Sequence, residues 1–263
     1  MSSVERDAAV TRGLTRGPLR DAALALGLLT IVPAPGVAAD QGELGRAALW
    51  FPLVGALAGA LAGGVRVLAQ PLLGALPSTA IALAVLIAIT GALHQDGLAD
   101  SADGLGARGG AQRRLDAMRD SAIGAFGVLA LVWWGLLMLT TLGSLSDTHA
   151  LRALIAAGAL SRWAALLHAA RTPPARADGL GAAFQVDGVR LTVASVLAVA
   201  IAEAAAGVGA GLIALAAAVL IAAISVVWAR RSLGGRTGDT LGATIALSEL
   251  AVCVALLGFW QPG

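Results

Sequence analysis

Three aspartates at helical spacing stand between two long apolar stretches of this sequence. Asp96, Asp100 and Asp103 are spaced i, i+4 and i+7. On a helix continuing from the preceding apolar stretch, they would fall within an arc of about 60°. Carboxylates this close repel one another unless a cation lies among them. Mg²⁺ binds through a few carboxylates together with substrate phosphates, so the spacing predicts a magnesium–phosphate site.

The aspartates belong to a polar island, residues 94–124, which holds five of the chain's sixteen acidic residues. Asp116 and Asp120 form a second i, i+4 pair in it. Its arginines suit bidentate phosphate contacts; they are Arg108, Arg113, Arg114 and Arg119. An ordinary solvated helix end is the alternative, and the periodic spacing disfavours it. A transporter site is also disfavoured, because transporter charges usually lie near the middle of spans.

Three other polar features lie outside this pattern of aspartates. His94 precedes the first aspartate, on a different helical face. The glycine-rich segment 234–242 opens the last apolar stretch, and Asp239 or Thr240 can cap the helix that follows. Backbone N–H groups there can also hold a phosphate, with a plain capped loop as the alternative. Arg162 and Glu249 lie inside apolar stretches, where ionisable groups are functional or paired by default.

Composition indicates a membrane protein. Hydrophobic residues make up 58% of the 263 residues and charged residues only 13%, whereas soluble domains carry about 25% charged residues. A net charge of +2 gives no support for nucleic-acid binding. The single cysteine, Cys253, excludes a disulfide framework within one chain.

The hydropathy pattern predicts an all-α, polytopic helix bundle with about seven transmembrane helices. The predicted spans are residues 47–65, 67–93, 122–146, 149–170, 191–206, 208–229 and 241–260. Residues 22–32 form a helix too short to cross and are predicted to be interfacial or re-entrant; a signal peptide with a cleavage site near 36–38 is the alternative. Residues 1–21 are predicted to be a cytoplasmic tail, and 22–263 a single membrane domain. Gly55, Gly59 and Gly63 predict close helix packing.

Arginine distribution predicts the orientation of the bundle. If residues 22–32 do not cross, the arginine-rich loops 94–121, 171–190 and 230–240 share one face, predicted to be cytoplasmic. The loops on the opposite face hold only Arg66 and Arg152. The three polar loops can therefore contribute to one composite site.

The sequence resembles the cobalamin synthase family, the adenosylcobinamide-GDP ribazoletransferases. The matching motifs cover most of the chain: residues 51–55 (FPLVG), 94–104 (HQDGLADSADG), 118–121 (MRDS) with Gly124, Arg162, 179–181 (GLG) and 238–239 (GD). Residues 100–108 also look like the first half of the CDP-alcohol phosphotransferase signature. The second half of that signature departs, because Asp116 and Asp120 come too early and its glycine is missing. A membrane enzyme of that class is the alternative, and a transporter is a weaker one.

The resemblance implies a transferase with Mg²⁺ as cofactor. α-Ribazole, or its 5′-phosphate, would attack adenosylcobinamide-GDP and release GMP, forming adenosylcobalamin or its 5′-phosphate. The predicted metal ligands are Asp96, Asp100, Asp103 and Asp120. The predicted catalytic residues are Asp103, Asp120 and His94. The predicted substrate-binding residues are Arg108, Arg119, Ser121, Arg162, Arg236, Thr237, Gly238 and Asp239.

The same resemblance implies a location and partners. We expect a multi-pass protein of the bacterial inner membrane with cytoplasmic active-site loops. The lipid bilayer is a predicted partner and nucleic acid is not. The sequence leaves open a homo-oligomer or a complex with other cobalamin-assembly enzymes.

Overall fold

The protein is all-α in its computed structural model, which describes residues 17–33, 41–177, 179 and 184–261. In these ranges the only extended pairing is an isolated bridge between Pro174 and Arg236. The helices are α1 (Pro18–Leu29), α2 (Gln41–Ala47), α3 (Phe51–Leu73), α4 (Ala75–Ile89), α5 (Leu93–Gly106), α6 (Ala111–Ala117), α7 (Ala125–Ser144), α8 (Asp147–Arg171), α9 (Gly188–Ala206), α10 (Val208–Leu233) and α11 (Gly238–Trp260).

Six stretches in the described ranges are long and apolar enough to cross a membrane. The bent pair α4–α5 raises the number to seven if it counts as one span. This confirms the predicted polytopic bundle. Helix α1 begins at Pro18 and has 12 residues, which confirms a short N-terminal helix. Residues 1–16 of the predicted tail and the alternative cleavage site near 36–38 lie outside the described residues.

The break between the first two predicted spans falls at Gly74 and not at Arg66. Helix α3 continues through Arg66 and ends only at Gly74, whose φ of 78° suits glycine. Arg66 is only 1% exposed. It is tolerated inside the helix because its N–H groups donate to four acceptors, one of them a carboxylate. All four acceptors lie more than ten residues away in the sequence.

The aspartate-bearing helix does not continue straight from the preceding span, contrary to the prediction. Helices α4 and α5 meet at 88°. Gly91 and Ala92 both adopt positive φ, 60° and 58°, and so turn the chain between them. The backbone N–H of Ile31, just after α1, donates to the carbonyl oxygen of Ile89 at 2.8 Å. Beyond the bend, α5 carries the three aspartates and lies outside the apolar part of the pair.

Helix α8 is the centre of the bundle, and it packs against α3, α9, α10 and α11. Its closest neighbour is α3. A methyl group on Gly55 would overlap the carbonyl oxygen of Gly158, and one on Gly59 would overlap that of Leu154. A methyl group on Gly63 would lie 2.6 Å from a side-chain carbon of Leu151. The three glycines therefore allow the two backbones to touch, which confirms the predicted packing role.

Candidate active site

The site begins where α5 crosses the first turn of α11. A methyl group on Gly97 would lie 2.6 Å from the carbonyl oxygen of Asp239 and 3.1 Å from the Cα of Gly242. Only glycine allows this approach. The crossing brings Asp96 and Asp100 of α5 towards Asp239 of α11, over a separation of more than 130 residues.

The carboxylates at this crossing interact electrostatically. Burial, together with the charges of Asp96, Asp239 and Asp103, raises the pKa of Asp100 to about 7, and Arg176 opposes this rise. Asp239 was predicted from sequence as a substrate contact. The structure makes it a third member of the carboxylate group, with Asp96 and Asp100.

Two arginines face this carboxylate group. Arg176 interacts with both Asp100 and Asp239, and Arg119 interacts with Asp239. Arg176 is held in place by donating from Nη2 to the carbonyl oxygen of Leu115 at 2.6 Å. Arg119 was predicted and Arg176 was not. Arg176 belongs to no motif, and its membership of an arginine-rich loop was the only sequence signal that could have pointed to it.

The three polar loops do meet. The backbone N–H of Arg236 donates to the carbonyl oxygen of Pro173 at 2.8 Å, and that of Ala175 donates to Arg236 at 2.8 Å. This pairing joins the loop after α8 to the loop before α11. The Arg176–Leu115 bond then joins both of them to α6 in the polar island.

The start of α11 is a capping box. Thr237 Oγ1 accepts from the backbone N–H of Thr240 at 3.2 Å, and Thr240 Oγ1 accepts from that of Thr237 at 3.0 Å. Thr237 Oγ1 also donates to Asp239 Oδ2 at 3.2 Å, which holds this carboxylate at the crossing. The capped loop is thus confirmed, but the N-cap residue is Thr237 and not the predicted Asp239 or Thr240, of which Thr240 is the reciprocal partner in the capping box. Phosphate binding by Thr237 and Gly238 stays a prediction.

Asp103 has a structural role that its spacing did not reveal. Its Oδ2 accepts from the backbone N–H of Gly124 at 2.7 Å, and its Oδ1 from that of Gly127 at 2.9 Å. It therefore anchors the start of α7 to α5. Asp120 is exposed, and its Oδ1 accepts from the backbone N–H of Ala122 at 3.0 Å. Both carboxylates keep further lone pairs, and their roles as metal ligands or catalytic groups stay predictions.

Arg236 faces the protein interior. It is 5% exposed and donates to the carbonyl oxygens of Thr172 and, at 2.6 Å, Phe184. Burial lowers its pKa. These bonds use two of the five guanidinium N–H groups and tie the side chain to two backbone carbonyls, so its geometry favours ordering the loops around the site, and phosphate binding by Arg236 stays a prediction. The predicted contacts Arg108 and Ser121 are exposed on the same polar island.

Arg162 lies inside the bundle, paired with Glu249. Its Nη1 donates to Glu249 Oε1 and, at 3.1 Å, to Ser161 Oγ. Both charged side chains are almost fully buried. This pairing explains how an arginine and a glutamate are tolerated within spans. His94 is 1% exposed and lies close enough to Arg162 for the two side chains to interact electrostatically.

The donor set fits Mg²⁺ only with a substrate present. In the described ranges, no group of three or more His, Cys, Asp and Glu side chains is arranged to hold a metal ion by itself. Mg²⁺ is usually held by only one or two carboxylates, with water and phosphate oxygens completing the shell. Any two of the carboxylates Asp96, Asp100 and Asp239 would provide that number, and the repulsion among the three would fall when a cation binds.

Comparison with known proteins identifies a single family. The sequence model of a family described as cobalamin-5-phosphate synthase matches residues 21–257. An adenosylcobinamide-GDP ribazoletransferase of Azorhizobium caulinodans is 41% identical, with 93% of this chain and 97% of the relative covered. Proteins of the same name from Klebsiella pneumoniae (strain 342) and Escherichia coli (strain K12 / DH10B) are 39% and 36% identical; these alignments cover 89% and 88% of this chain and 97% of each relative. No solved structure matches.

Proposed function

The chain belongs to the cobalamin-5-phosphate synthase family, and from this premise we propose that it is an adenosylcobinamide-GDP ribazoletransferase. The observation that carries the proposal is the convergence of Asp96, Asp100 and Asp239 from two helices beside Arg119 and Arg176. Carboxylates and arginines gathered at one place suit the transfer of a phosphate group, which depends on positioning and on charge neutralisation.

The proposed reaction is a displacement at the diphosphate of adenosylcobinamide-GDP. A ribose hydroxyl oxygen of α-ribazole, or of its 5′-phosphate, bonds to the phosphorus on the cobinamide side. The bond from that phosphorus to the oxygen of the guanosine-bearing phosphate breaks, and GMP leaves with the electron pair. The hydroxyl proton passes to a carboxylate. The product is adenosylcobalamin or its 5′-phosphate.

The arginines and aspartates at the crossing have different proposed roles. Arg119 and Arg176 hold the diphosphate, whose negative charge also attracts the first turn of α11. Two of the carboxylates Asp96, Asp100 and Asp239 would hold Mg²⁺, and the third, which is not bound to the metal, accepts the hydroxyl proton. Bound Mg²⁺ would neutralise charge on the diphosphate and on the leaving GMP. Asp103 and Asp120 remain candidate ligands with second partners in the protein.

The position of the site in the membrane is also proposed. The site lies at the end of the bundle where the arginine-rich loops meet, and such loops are retained in the cytoplasm. We therefore place the active site at the cytoplasmic face of the inner membrane, where soluble nucleotides can reach it. A homo-oligomer, or a complex with other enzymes of cobalamin assembly, stays a prediction.

The direct test is GMP release by the purified chain in lipid vesicles. Adenosylcobinamide-GDP, α-ribazole and Mg²⁺ should together yield GMP and adenosylcobalamin in equal amounts, and chelation of the metal should stop both. A CDP-lipid with an alcohol acceptor should give no CMP, which separates this activity from a CDP-alcohol phosphotransferase. Absence of GMP from folded preparations supplied with every substrate and Mg²⁺ would refute the proposal.

A further inference from the structure

A cavity of about 150 Å³ opens beside the carboxylates. Asp96 and Asp239 lie at its mouth, and its interior lies between α1, α3, α5, α8 and α11. The interior is apolar, with Leu29, Leu166 and Ile245 among its walls. The cavity therefore has a charged rim and an apolar interior. Its ligand should accordingly have one polar part and one apolar part.

Two phenylalanines form an aromatic wall of this cavity. The rings of Phe51 and Phe184 stack with their centroids 5.3 Å apart and their planes 25° from parallel. Phe184 lies in the loop after α8, and its carbonyl oxygen accepts from Arg236 Nη2. Buried Arg236 thus fixes the position of a ring that no regular helix holds. Such a flat wall favours a flat ligand.

His94 supplies the polar group at this interior. It lines the cavity and is 1% exposed, and its Nε2 has no hydrogen-bond partner among the described residues. A buried nitrogen left without a partner costs free energy, because it has lost its hydrogen bond to water. A ligand that offers one hydrogen bond at this point would remove that cost.

Three classes of occupant can be compared with these features. A lipid chain would fill the apolar space but leave His94 Nε2 without a partner. A guanine base carries several donors and acceptors, and most would lose their hydrogen bonds to water against apolar walls. A flat aromatic base with a single free ring nitrogen matches both the walls and the lone polar group. An apolar cavity of about 150 Å³ accommodates a benzene ring, so one open to the rim can hold a small fused ring.

We propose that this cavity binds the aromatic base of the ribosyl acceptor, with His94 Nε2–H donating to the free ring nitrogen of the base. The inference rests on the proposed function, in which the acceptor is α-ribazole, a riboside of a benzimidazole. The base lies against Phe51 and Phe184, and the ribose extends to the rim beside Asp96 and Asp239. His94 is then a residue that binds and selects the acceptor, in place of the catalytic role predicted from sequence.

The experiment combines one substitution with one change in the ligand. Binding of α-ribazole to the purified full chain is measured by calorimetry, together with an indole riboside in which CH replaces the free ring nitrogen. The wild-type chain should bind the indole riboside about tenfold more weakly, as expected for one lost hydrogen bond. His94→Phe should bind α-ribazole about tenfold more weakly and should no longer distinguish the two ribosides.

Ser101→Ala is the matched control. Ser101 lies two turns further along α5, is buried and also has an oxygen without a partner, but it lines a different cavity. This variant should keep the wild-type preference for α-ribazole. Leu29→Trp fills the cavity and leaves the His94 side chain unchanged. It should weaken the binding of both ribosides equally and leave the KM for adenosylcobinamide-GDP within about twofold of the wild-type value. This variant tests the cavity even if His94→Phe fails to fold.

Two results would overturn the inference. One is a wild-type chain that binds both ribosides equally, and the other is a Leu29→Trp variant with normal affinity for α-ribazole. Either result can occur in a chain that still releases GMP, which leaves the proposed function intact. A chain that binds both substrates but releases no GMP contradicts the proposed function instead.

Discussion

The two ends of the bundle use arginine and aspartate in opposite ways. At the end away from the site, Arg66 donates to Thr79 Oγ1 at 2.9 Å, to Asp147 Oδ1 at 2.5 Å, and to the carbonyl oxygens of Leu142 and Leu145 at 3.3 and 2.9 Å. Each of its nitrogens has an acceptor and its charge has a partner. This cluster holds the ends of α3, α4, α7 and α8 together.

At the other end, carboxylates outnumber the charges that balance them. Asp96, Asp100 and Asp239 repel one another, and Arg176 is the arginine that opposes this repulsion at both Asp100 and Asp239. The protein tolerates this arrangement although it disfavours the ionised state of Asp100. A polar cluster that is fully paired stabilises the fold, whereas one with excess charge indicates a ligand that brings the opposite charge.

The strongest test of this contrast is Asp100→Asn. We expect turnover to fall about a thousandfold, equivalent to about 4 kcal/mol of lost transition-state stabilisation. The thermal unfolding midpoint should stay the same or rise, because the substitution removes repulsion. GMP release and thermal unfolding of the same preparation measure the two effects. Near wild-type turnover would contradict the assignment of Asp100 to the site.

Arg66→Met should have the opposite pattern. It leaves Asp147 without its partner and removes four hydrogen bonds, so the free energy of unfolding should fall by about 3 kcal/mol. Turnover per folded molecule should be unchanged, because Arg66 lies at the other end of the bundle. Denaturant unfolding in mixed micelles measures the first quantity. An unchanged unfolding midpoint would show that the cluster does not hold the helices together.

Gly97→Ala tests whether the crossing of α5 and α11 assembles the site. The added methyl group would press on the backbone of Asp239 and Gly242 and displace α5 by about 1 Å, which can cost about a hundredfold in turnover. Gly64→Ala in α3 is the matched control, because a methyl group there has no neighbour within 4 Å. Equal turnover in the two variants would separate the glycine crossing from catalysis.

Asp103→Asn examines a residue that belongs to both patterns. If its main role is to anchor α7, loss of the charge-assisted bonds to Gly124 and Gly127 should lower the free energy of unfolding by about 1.5 kcal/mol, with a modest change in turnover. If its main role is instead to bind metal, turnover should fall as it does in Asp100→Asn while stability changes little. Parallel unfolding and GMP-release assays distinguish these outcomes.

The sequence alone determined the properties that depend on neighbours in the chain. Apolar runs long enough to cross a bilayer as helices identified the protein as a transmembrane helix bundle. In lipid, the backbone polar groups of such a run must be satisfied within the helix. The i, i+4, i+7 spacing located Asp96 and Asp100, and the four-residue glycine repeat predicted the contact of α3 with α8. Each of these is a local pattern that one helix expresses on its own.

The tertiary structure decided which distant groups meet. Hydropathy alone predicted that the first span ends at Arg66. In the structure Arg66 lies inside α3, because Thr79, Asp147 and two carbonyl groups surround it. Asp239 and Arg176 joined Asp96 and Asp100 only through the glycine crossing and the loop pairing, and Arg236 turned inward to backbone carbonyls. Hydropathy and periodicity describe one helix at a time, whereas burial of a charge depends on the partners that other helices bring to it.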